Sequence, residues 1–355
     1  MFKVVDYLLQ AQANRIMKTA ALCPLDSRGS GNALFSLWFL VTALAKLVHG
    51  KLAGVHVNMA ERMSLYRKSA VVMTCRTLGI PVVVCLLAAQ FLHFYRQLPN
   101  PLQGLKRLVF SLPDACLVLG EKAQRFIRDE WQLPTDLVQV IINGVPEPTQ
   151  LRRLPGQDPV QRVLFFGDLS DRKGTSDLLQ ALAQPGFDDR RLEVMLVGGG
   201  DVAGYQARAL QLGIDAFVRF SGWADQAQVS QLMAQADVLV LPSYDEGLPL
   251  VILEAMVNGV AVVCTPVGEI PAVLSHGVNA CFIQLGDTPG ITAGLQRFLN
   301  DSAFREMLEL NGRKLNEEKI SLSRFAASLT PMHQRYFAAA AQPYTATVSP
   351  KRDDQ

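Results

Sequence analysis

Two rhythms of apolar and polar positions run along this chain of 355 residues. Short runs rich in β-branched residues recur, separated by longer stretches of helical period. In the first half the runs are 53-AGVHVN-58, 81-PVVVCLL-87, 115-ACLVLG-120 and 138-VQVII-142. In the second they are 162-RVLFFG-167, 193-EVMLVGG-199, 217-FVRFSG-222, 237-DVLVLP-242, 260-VAVVCT-265 and 280-ACFI-283. Strands that are apolar almost throughout have both faces covered. With helices between them they predict parallel sheets and an α/β fold. The rhythm breaks at 143-NGVPEPTQLRRLPGQDP-159, rich in Pro, Gly and charge. This break predicts two Rossmann-like, doubly wound domains, residues 1–150 and 151–320, whose strand ends face a common cleft. The opening segment 4-VVDYLLQAQA-13 reads as a helix. Residues 320–341 read as a last helix broken at Pro331, and 342–355 as a disordered tail.

Composition narrows the picture. A hydrophobic content of 49% with 19% charged residues belongs to a folded chain with buried sheet. The overall charge of +2 hides an asymmetry, because residues 1–150 hold 16 Lys and Arg against 9 Asp and Glu. A first half at +7 suits an anionic lipid surface or a phosphorylated acceptor, and equally a solvated surface without a partner. No basic run or motif points to nucleic acid. The six cysteines lack metal-ligand spacing, and Cys85, Cys116, Cys264 and Cys281 read as buried thiols of a reducing compartment. The longest apolar run, 33-ALFSLWFLVTALA-45, is shorter than the roughly 20 residues that span a bilayer. The expected location is therefore cytoplasmic, with room for a peripheral hold on the inner face of the membrane through the basic first domain.

Candidate chemistry concentrates in the second half. In 242-PSYDEGLPLVILEAMVNGVAVVCTPVGEIP-271, Gly247 and Pro249 open a helix whose N-terminal N–H groups favour a diphosphate. Glu246 precedes that turn, and Glu254 follows eight residues later, which allows both carboxylates one side of the helix. A nucleotide sugar matches such a layout, with hydroxyls at one end, phosphates between and a ribose diol at the other. An amphipathic helix capped by an acidic residue has the same pattern. Arg172 and Lys173, in the turn after 162-RVLFFG-167, suit a diphosphate leaving group or a solvated surface turn. The glycines of 197-VGGGDVAG-204 lack dinucleotide spacing and read as close backbone approach lining the cleft, which disfavours a dehydrogenase. In the first half, Arg62, Arg67 and Lys68 could hold an acceptor phosphate or begin a solvated helix.

The second half resembles the family 4 glycosyltransferases, retaining enzymes of the GT-B fold. The likeness runs through 141-IINGV-145, 164-LFFGDLSDRKG-174, 196-LVGGG-200, 219-RFSGW-223, 236-ADVLVLPSYDEGLPLVILEAMVNGVAVVCTPVGEIPAVL-274 and 277-GVNACFI-283. The long segment holds the E-x7-E pattern of Glu246 and Glu254, with Gly259 and Gly268 after it. The resemblance implies that Lys173, with Arg172, meets the donor diphosphate. It implies that Glu246 acts at the reacting carbon of the sugar, and that Glu254 binds the ribose hydroxyls. It assigns Gly247, Leu248, Pro249 and Leu250 to sugar and phosphate through their backbone. It further implies a UDP- or GDP-sugar donor, no metal cofactor, a saccharide or lipid-linked glycan acceptor, and a last helix (321–341) that returns to the first domain.

Three departures from the family bear on activity. Asp168 stands where the family has Arg after the strand glycine. Leu87 stands where the family carries a His, with His93 six residues further on. The first strand and its glycine-rich loop are missing, with 27-SRGSGN-32 (Arg28, Gly29, Gly31) as the candidate replacement. These departures keep a second reading open: a degenerate GT-B protein that binds nucleotide or glycan as a partner subunit without transferring sugar.

Overall fold

A computed structural model describes residues 2–337, apart from 18–20, 28–32, 51, 60–62, 87–90, 98, 149–160, 186 and 188–190. The tail 342–355 and the residues Leu87, Arg28, Gly29, Gly31 and Arg62 lie outside the described residues. All ten expected runs form strands: β1 Val55–Met59, β2 Val82–Leu86, β3 Ala115–Val118, β4 Val138–Val140, β5 Gln161–Phe166, β6 Leu192–Val197, β7 Val218–Gly222, β8 Val238–Leu241, β9 Ala261–Cys264 and β10 Cys281–Phe282. The helices of the first half are α1 Phe2–Ala13, α2 Ala33–His49, α3 Met63–Thr77, α4 Phe91–Arg96, α5 Asn100–Ser111 and α6 Glu121–Trp131. Those that follow are α7 Thr175–Leu182, α8 Val202–Gln211, α9 Gln226–Gln235, α10 Leu250–Val257, α11 Ile270–Val273, α12 Thr288–Asn300, α13 Ser302–Leu315 and α14 Leu322–Phe337.

Two parallel sheets result. The first has the order β1-β2-β3-β4, and no strand precedes β1 among the described residues. Its apolar continuity has a structural reason. Successive side chains of a strand point to opposite faces. Val82, Val84 and Leu86 therefore enter one core with α3, α5 and α6, while Val83 and Cys85 enter another with α1. The second sheet has the order β10-β9-β8-β5-β6-β7. Strand order reverses between β5 and β8, and in open α/β sheets ligands bind beyond the strand ends at such a reversal. The loops after β5 and β8 carry Lys173 and Glu246.

The chain passes between the halves twice, and the two crossings are stitched together. Val145 donates its N–H to Ile320 O at 3.0 Å and accepts from Leu322 N at 2.9 Å. A π-helical turn, Asn316–Ile320, precedes this bridge, and α14 follows it. α14 buries Phe325, Ala326, Leu329, Met332 and His333, a helical stripe, and packs against α1. The expected break at Pro331 does not occur, and the helix runs on to Phe337. Pro331 and Ala327, whose carbonyl loses its helical donor there, both face solvent, so water can satisfy that carbonyl. Packing on the opposite face holds both sides of the proline in one helix.

All six cysteines are free thiols; Cys23 is exposed, and the other five are buried. No helix among the described residues is long and apolar enough to cross a membrane.

His333 on α14 meets His56 on β1, with Nε2 and Nδ1 3.1 Å apart and the Phe337 ring on the far side. Burial, and for His56 the neighbouring His333, push the imidazoles down to about 3 and about 4. The unfolded chain, titrating near 6.5, takes up protons first as pH falls, so stability is lost from about pH 6.5 downward. Going from pH 7 to pH 5 is expected to cost about 4 kcal/mol, about 2 for each histidine. Urea unfolding at the two pH values measures it, and His56→Gln/His333→Gln should show a smaller loss. An equal loss in the double variant contradicts the assignment.

Candidate functional site

The site is built at the ends of β5 and β8. After β5 the chain turns through Gly167, Asp168 and a short 3-10 turn, Asp171–Lys173, before α7. After β8 it runs through Ser243, Tyr244, Asp245, Glu246 and Gly247 to α10. Two hydrogen bonds tie these loops: Tyr244 N donates to Arg172 O at 2.8 Å, and Arg172 Nη1 donates to Asp245 O at 3.0 Å. The stem of Lys173 lies along Gly167, and its ammonium pairs with Glu246 Oε1. Both side chains are largely buried, at 14% and 8% exposure. A partly desolvated ion pair of this kind depends on its geometry, and removing one partner leaves the other charge stranded.

A third loop fixes Glu246 from behind. Gly268 has φ +60, and a Cβ there would stand 1.8 Å from Glu246 O. Only glycine permits this approach without moving the loop. Glu269 N then donates to Gly247 O at 2.9 Å. The glycine loop after β6 behaves comparably, since a Cβ at Gly198 would stand 1.7 Å from Gly167 O. Its close approach is made to the loop after β5.

α10 begins at Leu250, with Pro249 as its N-cap. Glu246 therefore lies in the loop, and the two carboxylates do not share a helix face. Only Glu254 is helical, and the extended loop separates it from Glu246. Glu254 is 5% exposed and is held by α1: Lys3 Nζ donates to its two oxygens at 3.0 and 3.1 Å, and Tyr7 Oη donates to Oε1 at 2.5 Å. Gln226 Nε2 in turn donates to Tyr7 Oη at 3.4 Å, and the Lys3 ammonium stands 5.4 Å from the Phe166 ring centre. Burial first, and then the Glu254 carboxylate, push the Tyr7 phenol well above its ordinary range, so it remains a donor.

Between the halves lies a cavity of about 470 Å³. Leu86, Leu119, Lys122 and Ala123 line it from the first half, facing Tyr244–Gly247 and Pro266–Glu269. Glu269 spans the cleft: its carboxylate accepts from Ala123 N at 2.9 Å and from Lys122 N at 3.4 Å, at the N-terminus of α6. A carboxylate there is favoured by the unpaired N–H groups and the helix dipole.

The structure thus places Glu246 and Gly247 on the cavity wall, with Lys173 paired to Glu246 and an exposed Arg172 bonded to Asp245 behind that wall. Leu248, Pro249, Leu250 and Glu254 lie further along the chain, outside the lining. Asp168 is exposed beside the glycine loop, where a Cβ at Gly200 would stand 3.0 Å from its Oδ1. Lys68 does not line the cavity; it sits on α3, where burial and then Arg67 push its ammonium down. The side chain of His93 lies outside the described residues. Lys3, Tyr7 and Glu269 escaped the sequence reading, because their partners are 247 to 251 and about 146 residues away.

Residues 149–315 match the family Glycosyl transferases group 1. An uncharacterized glycosyltransferase of Methanocaldococcus jannaschii is 32% identical over 206 residues, which are 54% of this chain and 53% of that protein. The chain spans about half the length of this relative. Sucrose-phosphate synthase from Thermosynechococcus elongatus superposes with a TM-score of 0.73 at 20% identity, over 94% of this chain and 93% of that one. Anabaena HepE, solved in complex with UDP and glucose, gives 0.67 at 19% identity over 86% and 84%. These likenesses show the fold, an α/β architecture of GT-B type with parallel sheets.

Two substitutions test how the site is held. Gly268→Ala is expected to destabilise the chain by about 1–3 kcal/mol, through the clash with Glu246 and the left-handed φ. Tyr7→Phe, which removes a hydrogen bond to a buried carboxylate, is expected to cost about 1.5–3 kcal/mol. Urea midpoints check both, and unchanged midpoints contradict the contacts.

Proposed function

Starting from residues 149–315 as a glycosyl transferases group 1 domain, we propose that this chain transfers a sugar from a UDP- or GDP-sugar to a saccharide or lipid-linked glycan, with retention of configuration. The observation that carries the reading is the buried Lys173–Glu246 pair at the strand-order reversal, opening onto the cavity between the halves. The UDP and glucose held by Anabaena HepE support a donor of this class in the same fold.

In this reading the diphosphate takes over the Lys173 ammonium from Glu246, with Arg172 and the α10 N-terminus adding positive potential. Glu246, released, accepts hydrogen bonds from the sugar near its anomeric carbon. Glu254 accepts the ribose diol. Its two oxygens offer about four acceptor positions, so Lys3 and Tyr7 either share them with the ribose or withdraw. The acceptor hydroxyl attacks from the face that the nucleotide leaves, and the departing phosphate takes its proton. Stabilising charge on that leaving group is the main catalytic work asked of the chain. Asp168, exposed and turned to the glycine loop, stands beside this path. Closure of the cleft is expected to accompany donor binding.

Calorimetric titration with UDP, GDP and ADP tests the reading. One nucleotide should bind saturably, and Glu254→Ala should weaken it at least tenfold, about 1.4 kcal/mol. With the donor so identified, Lys173→Ala should lower kcat about 10²–10³-fold. A folded chain that binds none of the three nucleotides contradicts the proposal and favours a GT-B protein without transfer.

A further inference from the structure

α2 is apolar on both sides. Of its 17 residues only Lys46 is Lys, Arg, Asp or Glu. Its inner face, with Ala43 and Leu47 buried, packs on the core of the first half. The outer face of a surface helix is ordinarily polar. Here it carries Leu37, Trp38, Val41 and Val48, between 53% and 65% exposed. At 100° per residue, positions 37, 41 and 48 fall within about 40° of one another, with Trp38 alongside. α3, which packs against α2, adds exposed Met63 and Tyr66.

Charge decides what covers such a face. Residues 33–77 hold six Lys and Arg and a single acidic residue, Glu61. Lys46 is exposed on α2 itself, whereas Lys68 is partly buried and Arg76 pairs with Asp114 at 3.0 Å. Two copies of this chain meeting through the face would each bring that positive charge, and a symmetric interface sets like against like. An anionic bilayer offers the opposite: negative headgroups for the cations and an acyl boundary for the apolar stripe. Trp and Tyr favour that depth because one end of each ring is apolar and the other polar. At 17 residues α2 is too short to span, which leaves it in the plane of the interface.

We infer that the outer face of α2, with Met63 and Tyr66 of α3, docks this protein on an anionic phospholipid surface. The inference stands apart from the proposed transfer reaction, since no residue of the cavity takes part.

Flotation of the full chain with vesicles tests it, using phosphatidylcholine alone and equal parts phosphatidylcholine and phosphatidylglycerol. The chain should float with the phosphatidylglycerol vesicles at least tenfold more than with phosphatidylcholine. Salt raised to ~1 M, where screening acts within about 3 Å, should weaken the binding. Trp38→Glu/Val41→Glu should abolish flotation while leaving the circular dichroism melt and any nucleotide binding unchanged. Leu37→Ser/Val48→Ser, a milder pair, should reduce it severalfold and serves if the first variant misfolds. Absence of flotation, or flotation undiminished in a folded variant, overturns the inference. So does a dimer in light scattering that these substitutions dissolve without any vesicle binding, which would assign the face to a second copy.

Discussion

Burying a carboxylate is costly unless a cation or hydrogen-bond donors meet it, and the centre of this molecule is organised around three that are buried. Glu246, Glu254 and Glu269 are each 5% to 7% exposed, and all three belong to the second half of the chain. Lys173 pairs with Glu246 from within that half. The other two are satisfied from the first half: Glu254 by Lys3 and Tyr7 of α1, Glu269 by the first N–H groups of α6. The opposite net charges of the two halves thus have a local expression. Negative groups on one wall of the cleft meet positive groups and a helix dipole on the other.

Backbone geometry makes this crowding of charge possible. The reversal of strand order between β5 and β8 brings two loop ends together, and the hydrogen bonds of Arg172 stitch them. Gly268 lets a third loop press directly on the backbone of Glu246. Glu246 is thereby fixed in an irregular segment, which a helix position could not supply while leaving the carboxylate at the cavity. The paired crossings at Val145 and Ser321, with α14 beyond them, tie the halves at the side. The contacts of Glu254 and Glu269 tie them across the cleft.

The central strands β2, β3, β8 and β9 were legible because each is an uninterrupted apolar run, which burial on both faces requires. Edge strands such as β7, with exposed Arg219 and Ser221, were legible from their place in the rhythm. Glu246 and Glu254 were legible because they sit eight residues apart in one recognisable stretch, and Lys173 because it stands near the end of a second one, 164-LFFGDLSDRKG-174. Their partners were not. Nothing local to Lys3 in an amphipathic helix announces a carboxylate 251 residues away. Glu269 looks like any loop acid until α6 is placed against it. Pro331 misled because propensity ignores which carbonyl loses its donor, and here that carbonyl faces water. Counting eight residues from Glu246 to Glu254 as helical turns misled in the same way, since Pro249 starts the helix only after the loop has carried Glu246 to the cavity.

The central claim is that these buried carboxylates and Lys173 form a nucleotide-sugar site whose resting partners give way to the donor. A crystal structure of the chain with UDP, and one with GDP, test it most directly. The account predicts the diphosphate on Lys173, with Glu246 freed toward the cavity and the ribose hydroxyls on Glu254, whose contacts with Lys3 and Tyr7 are shared or broken. Nucleotide bound elsewhere, or a cleft in which the Lys173–Glu246 pair persists without nucleotide at saturating UDP and at saturating GDP, would contradict it.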